Sequence, residues 1–112
     1  MRFQKYNEWY RAWSITWPTH NLLGLVFSDH VDDQILVEEL GPVEKGVRRL
    51  SADPVREHVL RGVGNANLRL GTNFRVSKIQ FVPNDTPLLD FYVQLAEGIV
   101  EQLARNAEWK ER

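Results

Sequence analysis

The sequence contains no cysteine, so neither a disulfide framework nor a thiolate metal site can form. This absence is typical of a protein from a reducing compartment. Long apolar runs are lacking too: the longest, residues 22–27, is far too short to cross a bilayer, and the first residues do not form the apolar run of a signal peptide. We therefore expect a cytoplasmic protein with no membrane partner.

A large net charge is also lacking. Fourteen Lys and Arg residues against fifteen Asp and Glu residues give a net charge of −1, which argues against a strongly electrostatic nucleic-acid binder. The two signs are unevenly distributed, because residues 29–44 hold six acids and no Lys or Arg, whereas residues 45–78 hold eight bases and two acids. Such blocks predict either two faces that pair within the fold or a basic surface for an acidic partner or RNA.

The chain of 112 residues is long enough for one core, and we expect a single domain over residues 1–112. Alternation with β-branched residues, the nearly all-apolar run 22–27 (expected to be buried on both faces) and turn signals predict four strands. These are expected from about residue 9 or 10 to residue 17 and over residues 21–28, 34–39 and 74–82. In the last of them the apolar residues change parity between Phe74/Val76 and Ile79/Phe81, which indicates a β-bulge or burial on both faces.

Proline residues mark the expected helices. Pro42 suits the first position of a helix. Asp53 and Pro54 are expected to restart the pattern as an N-cap and the first helical residue, and Gly62 and Gly64 are expected to end it. Residues 65–70 then form a short strand or an ordered loop. Thr86-Pro87 is expected to open a last helix whose apolar stripe runs from Leu88 to Leu103, and the tail from residue 106 is expected to fray. The predicted fold class is α+β, with a mixed sheet of about four strands, two main helices on one face, and the order β-β-β-α-β-α.

Tryptophan is abundant near the start of the chain, at Trp9, Trp13 and Trp17. If these side chains share a strand face, the first expectation is packing in the core or at an edge against the helices. Rings that remain exposed would instead mark a partner interface or a base-stacking platform. We place the interface at the outer end of the strand, near Trp17 and His20.

Catalytic and metal-binding patterns are weak. His20 and residues 29–33 (Asp-His-Val-Asp-Asp) are the one metal-like grouping, without a second histidine at helical spacing, so we predict no metal site. Glu38 and Glu39 are adjacent on a strand and point to opposite faces, so they cannot act as a pair. No nucleophile motif and no phosphate-binding loop is present, so we expect no catalytic residues and no cofactor.

Two segments carry a family resemblance. Residues 41–48 (Gly-Pro-Val-Glu-Lys-Gly-Val-Arg) resemble the start of the first helix in domain IV of elongation factor G, and residues 76–81 (Val-Ser-Lys-Ile-Gln-Phe) are similar to the strand that follows it. The likeness covers roughly residues 40–103 and implies a ribosomal protein S5 domain 2-like fold. The family's Gly-Gly-Arg-Gly-Gln-Tyr-Gly loop has no counterpart here, and residues 84–89 replace its histidine-bearing tip loop. The translocation chemistry is therefore not expected to be inherited, and no nucleotide cofactor is expected.

Together these patterns predict a non-catalytic binding or accessory domain that contacts a protein or ribonucleoprotein partner. Two alternatives remain: a structural homodimer in which the aromatic first strand pairs across a two-fold axis, and a small enzyme with a His/Asp site near His20 to Asp33. The residues predicted to bind a partner are the aromatic-strand and basic-segment residues Trp9, Trp13, Trp17, His20, Arg48, Arg49 and Arg56.

Overall fold

The computed structural model describes residues 1–16, 19–28, 34–41, 50–82, 89–107 and 109–111, with the backbone alone at residues 15, 16, 19, 20, 110 and 111. The described chain forms six strands and two helices. In chain order they are β1 (Arg2–Tyr6), β2 (Trp9–Thr16), β3 (Thr19–Phe27), β4 (Leu36–Glu39), α1 (Ala52–Leu70), β5 (Val76–Phe81), α2 (Asp90–Ala104) and β6 (Lys110–Glu111).

All six strands belong to one mixed sheet with the order β4-β5-β3-β2-β1-β6. The central pairs are antiparallel, whereas β4 runs parallel to β5 and β6 runs parallel to β1. Since α1 connects the parallel neighbours β4 and β5, this part of the chain is a β-α-β crossover. Both helices cover the same face of the sheet, which confirms the predicted α+β class.

The sheet has two strands, β1 and β6, beyond the four that were predicted. β1 pairs with β2 through a tight hairpin in which Asn7 has a φ of 53°. Asn tolerates this left-handed conformation, so Asn7 was the available signal for the turn. The tail from residue 106 was expected to fray, but Trp109 packs on Phe3 and β6 joins the sheet at its edge.

The prediction that Gly62 and Gly64 end the helix was wrong, as was the strand or loop expected over residues 65–70. Helix α1 continues to Leu70 and ends at Gly71, whose φ of 68° is the left-handed conformation common just after a helix. Gly62 is buried against α2, where an added Cβ would lie 2.9 Å from the Cβ of Ala96. Close packing between the helices therefore outweighs the low helix propensity of glycine.

The start of α1 also differs from the prediction. Ser51 occupies the N-cap position, so Asp53 and Pro54 lie within the first turn of the helix. The helix expected from Pro42 and the opening of the last helix at Thr86-Pro87 lie outside the described residues. The buried stripe of α2 agrees with the predicted periodicity and consists of Tyr92, Leu95, Ala96, Ile99 and Val100.

The parity change in β5 coincides with a β-bulge, one of the two predicted explanations. Val26 pairs with Lys78 and Phe27 pairs with Val76, so Ser77 is the extra residue. The Ser77 hydroxyl donates a hydrogen bond to the Val26 carbonyl at 3.2 Å. Because the bulge restores the alternation, Val76 is buried on the same face of the sheet as Ile79.

The core lies between the sheet and the two helices. Leu23 and Leu25 of β3 and Ile79 and Phe81 of β5 are buried beneath the helices. One buried polar pair lies among them, since the Asn21 amide donates to the Tyr92 hydroxyl at 3.5 Å. Neither helix in the described part of the chain is both long and apolar enough to cross a membrane.

Candidate partner-binding face

The aromatic strand β2 divides its side chains between the two faces of the sheet. Ala12 is fully buried beneath the helices, and its neighbour Tyr10 packs against the core on the same face. Because side chains alternate along a strand, Trp9, Arg11 and Trp13 lie on the opposite face. We call that face, which neither α1 nor α2 covers, the open face, and define it by Arg2, Tyr6, Trp9, Arg11, Trp13 and Gln80.

This arrangement corrects the first expectation for the tryptophans. Trp9 and Trp13 were expected to pack against the helices, but they share a strand face that points away from both helices. Both side chains are half-buried and Tyr6 is 38% exposed. These rings therefore remain accessible, as the alternative interpretation of an interface or a stacking platform requires.

The hairpin register sets the neighbours of each tryptophan. Tyr6 is directly opposite Trp9, and Arg2 is directly opposite Trp13. On the other side of β2, Trp13 is paired with Leu22 of β3. The open face thus presents aromatic residues along β2, with a tyrosine and an arginine beside them on β1.

Arg11 lies between the two tryptophans and is held in place by two contacts. Its Nε donates a hydrogen bond to Oε1 of Gln80 at 2.6 Å, and its guanidinium carbon lies 4.7 Å from the centre of the Tyr6 ring. The second distance is that of a cation–π interaction. The contacts come from strands on either side of β2, so Arg11 has a defined position above the sheet.

Gly24 makes the Arg11–Gln80 contact possible. Arg11, Gly24 and Gln80 form one row across β2, β3 and β5. A Cβ at position 24 would lie 2.8 Å from Cδ of Gln80. Glycine therefore leaves the space in which the Gln80 side chain lies across β3, and Gln80 is only 2% exposed although it belongs to the open face.

An ion pair lies near the hairpin turn. Lys78 Nζ of β5 is 3.1 Å from Oε1 of Glu8 in the turn between β1 and β2. Both side chains are exposed, so this pair contributes little to stability. It does place the two charges beside the Tyr6 and Trp9 end of the open face.

The predicted partner-binding residues do not form a single surface in the structure. Trp9 and Trp13 lie together on the open face, whereas Arg56 lies on α1, in the layer that covers the opposite face. Trp17, Arg48 and Arg49 lie outside the described residues, and for His20 only the backbone, within β3, is described. Residues that the sequence analysis did not single out complete the face, namely Arg2, Tyr6, Arg11 and Gln80.

The bases in the described part of the basic segment do not gather on one surface. Arg56 and Arg61 are five residues apart on α1, which separates them by about 140° around the helix axis. Arg69 forms an ion pair with Glu101 of α2. For Arg69, therefore, the predicted pairing of opposite charges within the fold is observed.

A separate open cavity of about 450 Å³ lies where β3 ends and β5 begins. Phe27, Phe74 and Arg75 line it, together with Ser28, Thr72 and Asn73, and this described lining contains no His, Asp or Glu. The Asn67 side chain fixes the adjacent loop, since it accepts from the Phe74 amide at 3.1 Å and donates to the Phe74 carbonyl at 2.9 Å. These polar groups stabilise the loop, and the described lining of the cavity offers no acid–base pair.

The enzyme alternative places a His/Asp site near His20 to Asp33. Asp29, His30, Asp32 and Asp33 lie outside the described residues. Within the described ranges, no group of three or more His, Asp or Glu side chains is placed to hold a metal ion.

The homodimer alternative is contradicted in its expected geometry. Both edges of β2 are occupied, by β1 and by β3, so the aromatic strand cannot pair with a second copy across a two-fold axis. A dimer would have to use a face of the sheet or one of its outer strands.

No protein-family model matches the chain, and searches of curated proteins and of solved structures gave no match.

Proposed function

We propose that this protein is a non-catalytic binding domain that contacts a protein or ribonucleoprotein partner through the open face. The observation that carries the proposal is the pair Trp9 and Trp13, half-buried on a sheet face that neither described helix covers. Trp, Tyr and Arg are the side chains that contribute most often to binding hot spots. The open face brings these three residue types together at its centre.

The open face is also pre-ordered for binding. Arg11 is held by Gln80 and by the Tyr6 ring before any partner arrives. A side chain that is already fixed loses less conformational entropy on binding, so more of its contact energy contributes to affinity.

The resemblance to domain IV of elongation factor G supports a ribonucleoprotein as the partner. Residues 76–81, which carry part of the likeness, form β5, and β5 supplies Gln80 to the open face. We propose the cytoplasm as the location, on the grounds that cysteine is absent from the sequence.

A site-specific photo-crosslinker tests the proposal. We would place benzoylphenylalanine at Tyr6, on the open face, and in a second variant at Leu68, which is 88% exposed on α1. Irradiation in a lysate of the native host should give a discrete adduct from position 6 and none from position 68. The same adduct should weaken when Trp13→Ala is added.

An adduct from position 68 but not from position 6 would contradict the proposal, because it would place the contact on the helix layer near Arg56 and Arg61. Adducts whose mass is twice 13.1 kDa would show a second copy of the chain on the open face. That result would favour the homodimer over a separate partner.

A further inference from the structure

We infer that the open face binds single-stranded RNA, with one base stacked on Trp9 and another on Trp13. This inference rests on the proposed function and names the chemical class of the partner. Base–aromatic stacking tolerates any sequence because every base has a π-face, and exposed aromatic side chains on a sheet are a general way of holding unpaired bases.

The spacing of the two tryptophans fits two separate stacking positions. They are four residues apart on the same strand face, so their Cα atoms are about 13 Å apart along β2. The ring pairs among the described aromatic residues are Phe3–Trp109, Tyr10–Phe27, Tyr10–Trp109 and Phe27–Phe74. None involves Trp9 or Trp13, so no described aromatic ring occupies the faces that a base would cover.

The charge of the two strands complements a phosphate backbone. On the open face, β1 and β2 contribute two bases, Arg2 and Arg11, and no acid, whereas Lys5 is paired with Tyr10 and lies on the helix-covered face. Arg2 is exposed and directly opposite Trp13, and Arg11 lies between the tryptophans, so a cation is close to each stacking position.

The Gln4 amide is placed to favour RNA over DNA at this surface. Gln4 is opposite Arg11 in the hairpin and lies in the same row of the open face as Gln80. An amide both donates and accepts hydrogen bonds, as does the ribose 2′-hydroxyl that distinguishes RNA from DNA. The Gln4 amide, between the two stacking positions, is therefore placed to bind a 2′-hydroxyl.

The small number of cations predicts a shallow dependence on salt. If Arg2 and Arg11 each neutralise one phosphate, log K should fall with log salt with a slope of about −1.4, from about −0.7 per phosphate for single strands. This is consistent with the net charge of −1 for the chain, because the affinity would come mainly from stacking.

The experiment is a fluorescence titration of the purified full chain with octauridine and octaadenosine at several salt concentrations. We expect saturable quenching of tryptophan emission and a slope near −1.4. Trp9→Leu or Trp13→Leu should raise Kd about 5- to 150-fold, the range that stacking one base supports. The matched controls Arg61→Ala and Leu68→Ala, on the exposed side of α1, should leave Kd unchanged.

Arg2→Ala separates binding from folding, because Arg2 is exposed and its loss leaves the core intact. It should weaken binding at low salt and reduce the salt slope by about 0.7. Circular dichroism and thermal melting of each variant confirm that the fold is retained. Octadeoxyuridine should bind more weakly than octauridine, and Gln4→Ala should remove most of that difference.

Absence of quenching by octauridine at low salt would overturn the inference, as would equal effects of Arg2→Ala and Arg61→Ala. Equal affinity for the DNA oligomer would overturn the preference for RNA. A nuclease-resistant protein adduct at Tyr6, with no octauridine binding, would overturn the RNA partner and retain the proposed function. Failure of both the titration and the crosslink at Tyr6 would overturn both.

Discussion

The two faces of the sheet use aromatic residues in opposite ways. On the helix-covered face, Trp109 meets Tyr10 edge to face with ring centres 4.9 Å apart, and Tyr10 continues the contact to Phe27. On the open face, Trp9 and Trp13 share no ring contact with another described aromatic residue. The same residue type thus packs against other rings on one side, while on the other side it belongs to the face that we propose binds a partner.

The polar residues show the same contrast. Beneath the helices, the buried Asn21 amide donates a hydrogen bond to the buried Tyr92 hydroxyl, so both belong to the core. On the open face, Gln80 and Tyr6 fix the position of a charged side chain, Arg11. The helix-covered face should therefore account for stability and the open face for binding, and substitutions on matched positions can separate these roles.

The largest difference is expected between adjacent residues of β3. Leu25 is fully buried beneath the helices, whereas Val26 is half-buried and belongs to the opposite face. Leu25→Ala should lower the free energy of unfolding by about 2–5 kcal/mol through lost burial and a cavity, and Val26→Ala by about 1 kcal/mol. Urea denaturation measures both values. Equal losses would show that the two faces are equally buried.

Two tryptophans provide the next comparison. Trp109→Ala removes ring contacts with Phe3 and Tyr10 and should cost roughly 3 kcal/mol, whereas Trp13→Ala should cost about 1 kcal/mol. Thermal melting shows which of the two variants has the lower melting temperature. A larger loss for Trp13 would mean that this ring supports the fold, and it would weaken the case for a binding role.

Two glycines of α1 should respond to alanine with opposite signs. Gly62→Ala places a Cβ against the Val93 carbonyl and Ala96 of α2 and should destabilise by about 1–3 kcal/mol. At Gly64 nothing lies within 4 Å of the added Cβ, so Gly64→Ala should stabilise by about 0.5–1 kcal/mol. Urea midpoints that moved in the same direction would contradict the close packing of α1 on α2.

The smallest difference in stability is expected between two polar residues of β5, Gln80 and Lys78. Gln80→Ala removes the hydrogen bond that holds Arg11 and should cost about 1.5 kcal/mol. Lys78→Ala, which breaks the exposed ion pair with Glu8, should stay within about 0.5 kcal/mol. If Lys78 proved the more costly loss, the ion pair rather than Gln80 would be the main polar support of this face.

Local sequence patterns predicted much of the fold. The alternation of β2, the apolar run of β3 and the stripe of α2 could be recognised in the sequence because each depends on neighbouring residues, and the parity change in β5 indicated the bulge as one of two alternatives. β6 was missed because two residues carry no periodicity. The continuation of α1 past Gly62 was missed, because it depends on the packing of α2 against that glycine. This is a contact between distant parts of the chain.

The candidate site was predictable only in part. The spacing of Trp9 and Trp13 predicts a shared strand face, but which face the helices cover follows from the whole topology. The hydrogen bond between Arg11 and Gln80 joins residues 69 positions apart, so no local sequence pattern could predict it. Arg56 was chosen for its charge within a basic segment, and the structure places it on the helix layer instead.

The most direct test of the open face as the binding surface is an amide and indole NMR titration of the chain with octauridine. The indole N–H signals of Trp9 and Trp13 should shift or broaden, while those of Trp109 and the Leu68 amide stay in place. Changes at Trp109 or Leu68, with Trp9 and Trp13 unmoved, would place binding on the helix-covered side and contradict the account.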